Sequence, residues 1–251
     1  MILGLAGIAL VVFAFLSFAN TQTGGLDFDA PATTAPTTEA PAPTTETEQP
    51  AEPEPAPEPP TPAEQTAAQH ALAQLDTVEI TPATRIPDYD RDLFGDAWED
   101  VDGNGCDTRN DVLARDLTVT SKDGACKVLT GTLTDPYTGQ VIDFVRGQQT
   151  SQAVQIDHIV SLSAAWKGGA WAWTDDQRVA FANDTEILLA VDGPANSRKS
   201  DKGPARWMPS NAGNSAYDCE YAIDYTYVLV KYDLTAPAED IAALRSTLAT
   251  C

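Results

Sequence analysis

The sequence predicts an α+β domain built on a ββα core, with added helices and a β-hairpin, stapled by disulfides. Three observations point there. Residues 154–162 form an apolar, β-prone run with Asp157 and His158 side by side in its middle. Residues 188–192 are a second apolar run, followed by a turn at Gly193-Pro194 and a polar, basic stretch that opens as a helix near Asn196. All four cysteines, Cys106, Cys126, Cys219 and Cys251, fall in the same C-terminal part of the chain.

Within a strand, neighbouring side chains point to opposite faces, so Asp157 and His158 cannot share one core. Two readings stay open for the pair. It is a satisfied core histidine beside a turn-capping acid, or it is a site with an ion near one residue and a reacting group near the other. A two-residue motif does not choose between them. Histidine is scarce, however. The chain has two, and His70 lies beside a Pro/Glu-rich stretch, so any histidine chemistry falls to His158.

Residues 2–19 are almost wholly apolar, close to the roughly 20 residues a membrane span needs. No Lys or Arg precedes them, which departs from an ordinary signal peptide, although Ser17-Phe18-Ala19 offers a small-x-small cleavage site. Residues 1–20 are therefore read as a signal peptide or an N-terminal membrane anchor, and either places the remainder outside the cytoplasm. Residues 21–66 hold 11 of the 18 prolines and no base, which predicts an extended, unfolded linker. The first basic residue is Arg85. Eleven of the 37 acids lie at or before Ile80, so the part beyond carries 26 acids against 15 bases, a charge of −11 within the total of −22. That is an unfavourable balance for tight non-specific binding to nucleic acid.

Residues 67–251 are long enough for one domain with its own core. A short helix is expected at 67–75. Runs at 127–133 and 140–146 flank Asp135-Pro136-Tyr137-Thr138-Gly139, a hairpin signal. The small and aromatic stretch 163–173 carries Trp166, Trp171 and Trp173, read as core anchors ahead of a substrate-facing rim. Thr174 should cap a helix over 175–182, residues 215–232 have apolar residues at helical spacing, and Pro237 should open a last helix to about Leu248. Four cysteines in an exported protein argue for disulfides, with three connectivities possible. Cys106–Cys126 with Cys219–Cys251 is the expected set, because each pair brackets a compact unit. Zinc competes poorly, since no Cys-x-x-Cys occurs. Residues 100–105 resemble the first half of a calcium loop, with Asp111 at its twelfth position, but Asp107 and the missing terminal Glu depart from that pattern. A turn rich in Asp, Asn and Gly forms without an ion.

The ordered motifs add a family resemblance. From Trp98 to Cys251 the chain resembles the HNH (His-Me finger) nucleases. It looks closest to the HNH-like family related to the C-terminal domain of the GmrSD restriction enzymes, common in secreted actinobacterial proteins. The residues that carry this are Gly105-Cys106-Asp107-Thr108-Arg109-Asn110, Asp135 to Gly139, Ile156 to Val160, Phe181-Ala182-Asn183-Asp184, Asn196 with Lys199 to Lys202, Trp207-Met208-Pro209 and Cys219-Glu220-Tyr221. The resemblance implies a ββα-metal core and an extracellular endonuclease acting on nucleic acid, DNA ahead of RNA. It implies His158 as general base, Asp157 and Asn196 as ligands of a divalent ion (Mg²⁺ or Mn²⁺), and Lys199 on a phosphate oxygen. One departure stands out. Many HNH proteins carry an Asn on the second strand, where this chain has Ile187, and Asn183 or Asp184 would have to brace the site instead. The competing function is a catalytically weak surface-binding module that keeps the fold.

Overall fold

The structure, a computed structural model, describes residues 62–251. The proposed leader or anchor, and the linker up to residue 61, lie outside the described residues. Among the described residues no helix is long and apolar enough to cross a membrane. Helix α1 (Pro62–Leu75) starts ahead of the expected residue 67 and leaves His70 exposed.

Helix α2 (Thr108–Asp116) leads into a three-stranded antiparallel sheet of β1 (Thr118–Asp123), β2 (Lys127–Thr134) and β3 (Val141–Val145), with β2 in the centre. The expected hairpin is β2–β3, paired from Thr130↔Val145 to Thr134↔Val141. Its turn closes on Asp135, whose Oδ2 accepts from the Thr138 N–H at 2.7 Å, and on Gly139 at φ 70°, a conformation that favours glycine.

The ββα unit follows. Strand β4 (Val154–His158) pairs antiparallel with β5 (Leu188–Asp192), with Asp157 opposite Leu189 and His158 opposite Leu188. Helix α5 (Gly193–Lys199) begins directly at the end of β5, where the sequence suggested a turn and a start near Asn196. Three local features bring the start forward. The Asp192 carboxylate caps the Ala195 N–H at 2.7 Å, and Pro194 sits in the first turn, where its missing N–H costs nothing. At Gly193 a Cβ would lie 2.0 Å from the Gln152 carbonyl oxygen, so only glycine permits this approach.

Strand alternation divides the hairpin. Val154, Ile156, Leu188 and Ala190 face a core shared with Val112, Leu113, Val128 and Phe144 of α2 and the three-stranded sheet. Gln155 and Asp157 face α5. Between β4 and β5 run α3 (Leu162–Gly168) and α4 (Asp175–Ala182), the latter opened by a capping box of Thr174 and Gln177. Trp166 is core, its indole N–H donating to the Pro87 carbonyl at 2.9 Å, and Trp173 packs on Phe181 at 5.5 Å. Trp171 departs from the core reading at 42% exposure. Helices α6 (Asp218–Lys231) and α7 (Ala238–Leu248) pack with α1 around Leu75, Tyr225, Leu229, Leu244 and Leu248. Pro237 stands at the N-cap of α7.

Both disulfides form in the expected pairing, Cys106–Cys126 with Cα atoms 5.3 Å apart and Cys219–Cys251 at 5.8 Å. The first ties the segment before α2 to the β1–β2 turn. The second joins the first turn of α6 to the residues after α7, a closure worth about 3–4 kcal/mol in the chain-entropy model. In the loop read as a half calcium site, Asp100 and Asp102 accept from the backbone N–H groups of Asn104 and Gly105, so the turn is closed by its own hydrogen bonds.

Candidate active site

The Asp157 side of β4 is closed. Its Oδ2 accepts from the Tyr137 hydroxyl at 2.6 Å and from the Lys199 ammonium at 2.9 Å, while Oδ1 accepts from Lys199 at 3.2 Å. Lys199 also donates to the His158 carbonyl at 2.9 Å and is 0% exposed. Trp207 and Tyr221 pack edge-on against Tyr137, at 4.7 and 5.9 Å, and seal the pair from water. Burial pushes the Asp157 carboxyl up, and the Lys199 ammonium and Tyr137 hydroxyl pull it back. Positions 196 and 199 share a face of α5 as 155 and 157 share a face of β4. Asn196 accordingly meets Gln155, its Nδ2 donating to Oε1 at 3.0 Å, while Lys199 meets Asp157.

The His158 side borders a cleft, although His158 itself is only 8% exposed. His158 Nε2 lies 2.9 Å from the Ala182 carbonyl oxygen. A carbonyl only accepts, so in the neutral ring Nε2 carries the proton and Nδ1 keeps its lone pair. Burial lowers the imidazole pKa to about 4, opposed by the Ala182 hydrogen bond and assisted by the charges of Arg91 and Lys199. The ring stacks on Phe181 at 6.3 Å and 15°. It lines a cleft of about 200 Å³ together with Arg91, Asp92, Asp96, Leu162, Ala182 and Asn183. Asn183 is 1% exposed. Its Nδ2 donates to the Val179 carbonyl at 3.0 Å, and its Oδ1 is buried with no partner among the described residues.

The structure thus brings Asp157 and Lys199 together and places His158 on the opposite face. It does not bring Asn196 to Asp157. As donors for a divalent ion Asp157 and Asn196 do not fit this arrangement: the carboxylate already holds an ammonium and a phenol, and the Asn196 amide is engaged with Gln155. Among the described residues no group of three or more His, Cys, Asp or Glu side chains is placed to hold a metal. Lys199, sealed and with both its acceptors internal, is not exposed to a phosphate. Of the two bracing candidates, Asp184 is used elsewhere, accepting from Lys231 and from the Tyr232 hydroxyl of the α6 end at 2.6 Å each. Asn183 remains in the His158 cleft. Ile187 is fully buried, as an apolar residue should be.

Two residues escaped the sequence reading. Tyr137 sits in the hairpin motif, yet nothing local marks its hydroxyl as a partner of Asp157. Arg91 lies before the region of family resemblance and reaches the cleft only through the packing of the turn that carries it. A larger cavity of about 600 Å³, bordered by Trp171, Lys202 and Arg206, holds none of the predicted site residues.

Comparison with known proteins matches residues 107–246 to the GmrSD restriction endonucleases, C-terminal domain. An uncharacterized secreted protein of Arthroderma benhamiae is 37% identical over 187 residues, covering 74% of this chain and 86% of that protein. No solved structure matches the chain.

Proposed function

The chain belongs to the family of the C-terminal domain of GmrSD restriction endonucleases, and on that premise we propose that it is an extracellular nuclease that hydrolyses phosphodiester bonds with His158 as general base. The observation that carries this reading is the Nε2–Ala182 hydrogen bond, which leaves Nδ1 as the basic nitrogen of a ring that lines the cleft. A proton passes from water to Nδ1, the water oxygen forms the new bond to phosphorus, and the leaving oxygen departs and takes a proton from solvent. The Ala182 carbonyl holds the ring and favours the imidazolium as it forms. The Asn183 Oδ1, buried in the cleft wall with no partner among the described residues, accepts a hydrogen bond from the attacking water once substrate binding shifts that wall. The Asp157–Lys199 pair acts as support, since Lys199 grips the His158 carbonyl. Two disulfides and the secreted relative favour an extracellular setting.

A cleavage assay on plasmid DNA and on RNA, in Mg²⁺, Mn²⁺ and EDTA, tests the reading and separately decides whether a divalent ion is needed. His158→Gln should lower any cleavage by about 10²–10⁴-fold while the fold persists. The second reading, a binding module without turnover, is favoured by the Asp157–Lys199 pair, which is fully satisfied inside the protein. It predicts nucleic-acid binding with no cleavage under any of these conditions.

A further inference from the structure

If Lys199 is sealed, a phosphate held beside His158 needs another cation. The geometry points to Arg91 as the residue that binds the substrate phosphodiester in the His158 cleft, an inference that rests on the proposed nuclease site and deepens it.

Arg91 opens a short 3-10 turn, Arg91–Phe94, and lines the cleft with His158. It is exposed and makes no ion pair among the described residues. Lys199 is committed to Asp157, and Lys167 and Arg206 border the larger cavity, so Arg91 is the one Lys or Arg lining this cleft among the described residues. The turn is firmly held, and the guanidinium, with the Tyr89 hydroxyl beside it, has no carboxylate partner among the described residues. Phe94 is buried and lies 6.2 Å from Trp166 and 6.3 Å from Phe181, the ring that stacks on His158. The buried Arg178 donates from Nε to the Leu93 carbonyl at 2.9 Å and ties the turn to α4. Gly95, at φ 79°, lets the chain turn where a Cβ would lie 2.6 Å from Val179 Cγ2. An anchored backbone carrying a guanidinium with no carboxylate partner suits a phosphate, and Arg can make a two-point grip on phosphate oxygens.

Asp92 and Asp96 border the same cleft. They oppose an anion, and they make the site discriminate by charge. One guanidinium against two carboxylates admits a phosphodiester with a single charge more readily than a doubly charged phosphate monoester. The site therefore favours internal linkages over terminal phosphates.

The test uses the full chain. A short labelled thymidine oligonucleotide is titrated by anisotropy into the His158→Gln protein, alone and with Arg91→Ala, Arg91→Lys or Asp92→Asn, at several salt concentrations. Arg91→Ala should weaken binding and lower the slope of log K against log salt by about 0.7, the share of one single-strand phosphate contact. Arg91→Lys should restore the slope, and Asp92→Asn should tighten binding. Dimethyl phosphate titrated into the wild-type protein should shift the His158 ring resonances more than inorganic phosphate does, and Arg91→Ala should remove that difference. An Arg91→Ala protein with unchanged slope, unchanged KM and no loss of the dimethyl phosphate shift overturns the inference even if the wild type cleaves nucleic acid. The predicted slope and shift changes in a wild type that cleaves nothing sustain it and sink the nuclease reading instead.

Discussion

The two faces of β4 carry adjacent polar residues to opposite ends. On one face Asp157 has a partner for each oxygen, and its main partner, Lys199, has no contact with water. On the other, His158 has one nitrogen bonded and one free, beside an amide oxygen with no partner. Buried polar groups in folded proteins are nearly always satisfied, so the exceptions are informative. The Asp157 carboxylate, with its partners met, reads as architecture even though the Trp207 indole N–H packed beside Tyr137 has none among the described residues, and the His158 face reads as the place where a ligand completes the hydrogen bonding. The acid and the imidazole, adjacent in sequence, therefore should fail in different ways when removed.

The largest effect is expected at Asp157. Asp157→Ala strands the Lys199 ammonium in a sealed site, and breaking a buried pair on one side typically costs about 3–5 kcal/mol. Urea unfolding should show that loss. The double variant Asp157→Leu with Lys199→Met should recover most of it, because the charge is gone with its partner. A small loss in the single variant would show that the pair is not structural, and would reopen Asp157 as an ion ligand.

His158 should show the reverse pattern. His158→Gln should lower the cleavage rate by about 10²–10⁴-fold, the usual contribution of a positioned general base, with a smaller change in unfolding free energy than Asp157→Ala. Equal losses of stability at the two positions would erase the distinction between the faces.

Acid titration measures the same contrast. The folded imidazole, at about pKa 4, lies below its unfolded value of 6.5. The unfolded state therefore binds the proton first, and the stabilisation from neutral His158 is complete above pH 6.5 and lost as pH falls through 4. That is worth about 3 kcal/mol. Asp224 runs the other way: burial and the neighbouring Glu220 raise it to about 6, so its contribution is full below the ordinary 3.8 and lost as pH rises through 6. Stability curves of wild type, His158→Gln and Asp224→Asn between pH 4 and 7 separate them. The His158→Gln curve should lose the acid-side decline, and an unchanged slope would mean that His158 is solvated.

How much of this was legible in sequence follows the range of the interactions. The capping box at Thr174, Pro237 before α7, the β2–β3 turn and the two disulfides are read from nearby residues, and each stands as expected. The start of α5 was misplaced because the Asp192 cap was outweighed by the turn signal of Gly193-Pro194. The site was half legible. Asp157 and His158 stand out by chemistry, and strand alternation puts them on opposite faces. What each face meets depends on register: Lys199 is 42 positions from Asp157, and Tyr137 is 20 before it. An Asn and a Lys three apart on one helix face could meet Asp157 in either order. The register puts Lys199 there and leaves Asn196 to Gln155. Arg91 had no local signal at all, since its place comes from Phe94 and Arg178 holding the turn.

The smallest change in stability, and the finest test of the comparison, lies at Asn183. Asn183→Ala removes the Nδ2 hydrogen bond to the Val179 carbonyl, a net loss of about 1 kcal/mol. It also removes an oxygen that is buried without a partner, whose desolvation costs about 1–3 kcal/mol while it stays unmet. A small cavity adds a cost of the same order as the hydrogen bond. The terms offset, so unfolding free energy should move by less than about 1 kcal/mol. Cleavage should fall all the same, because the oxygen that greets the attacking water is gone. A purely structural Asn183 would do the opposite, losing stability and leaving the rate of the folded protein alone. Asn183→Asp sharpens the choice. It keeps an oxygen at the site but adds a charge beside Asp92 and Asp96, so it should weaken phosphodiester binding where alanine does not. Measuring KM and kcat for the two variants at matched folded fraction then shows whether this oxygen belongs to the reacting face or to the scaffold behind it.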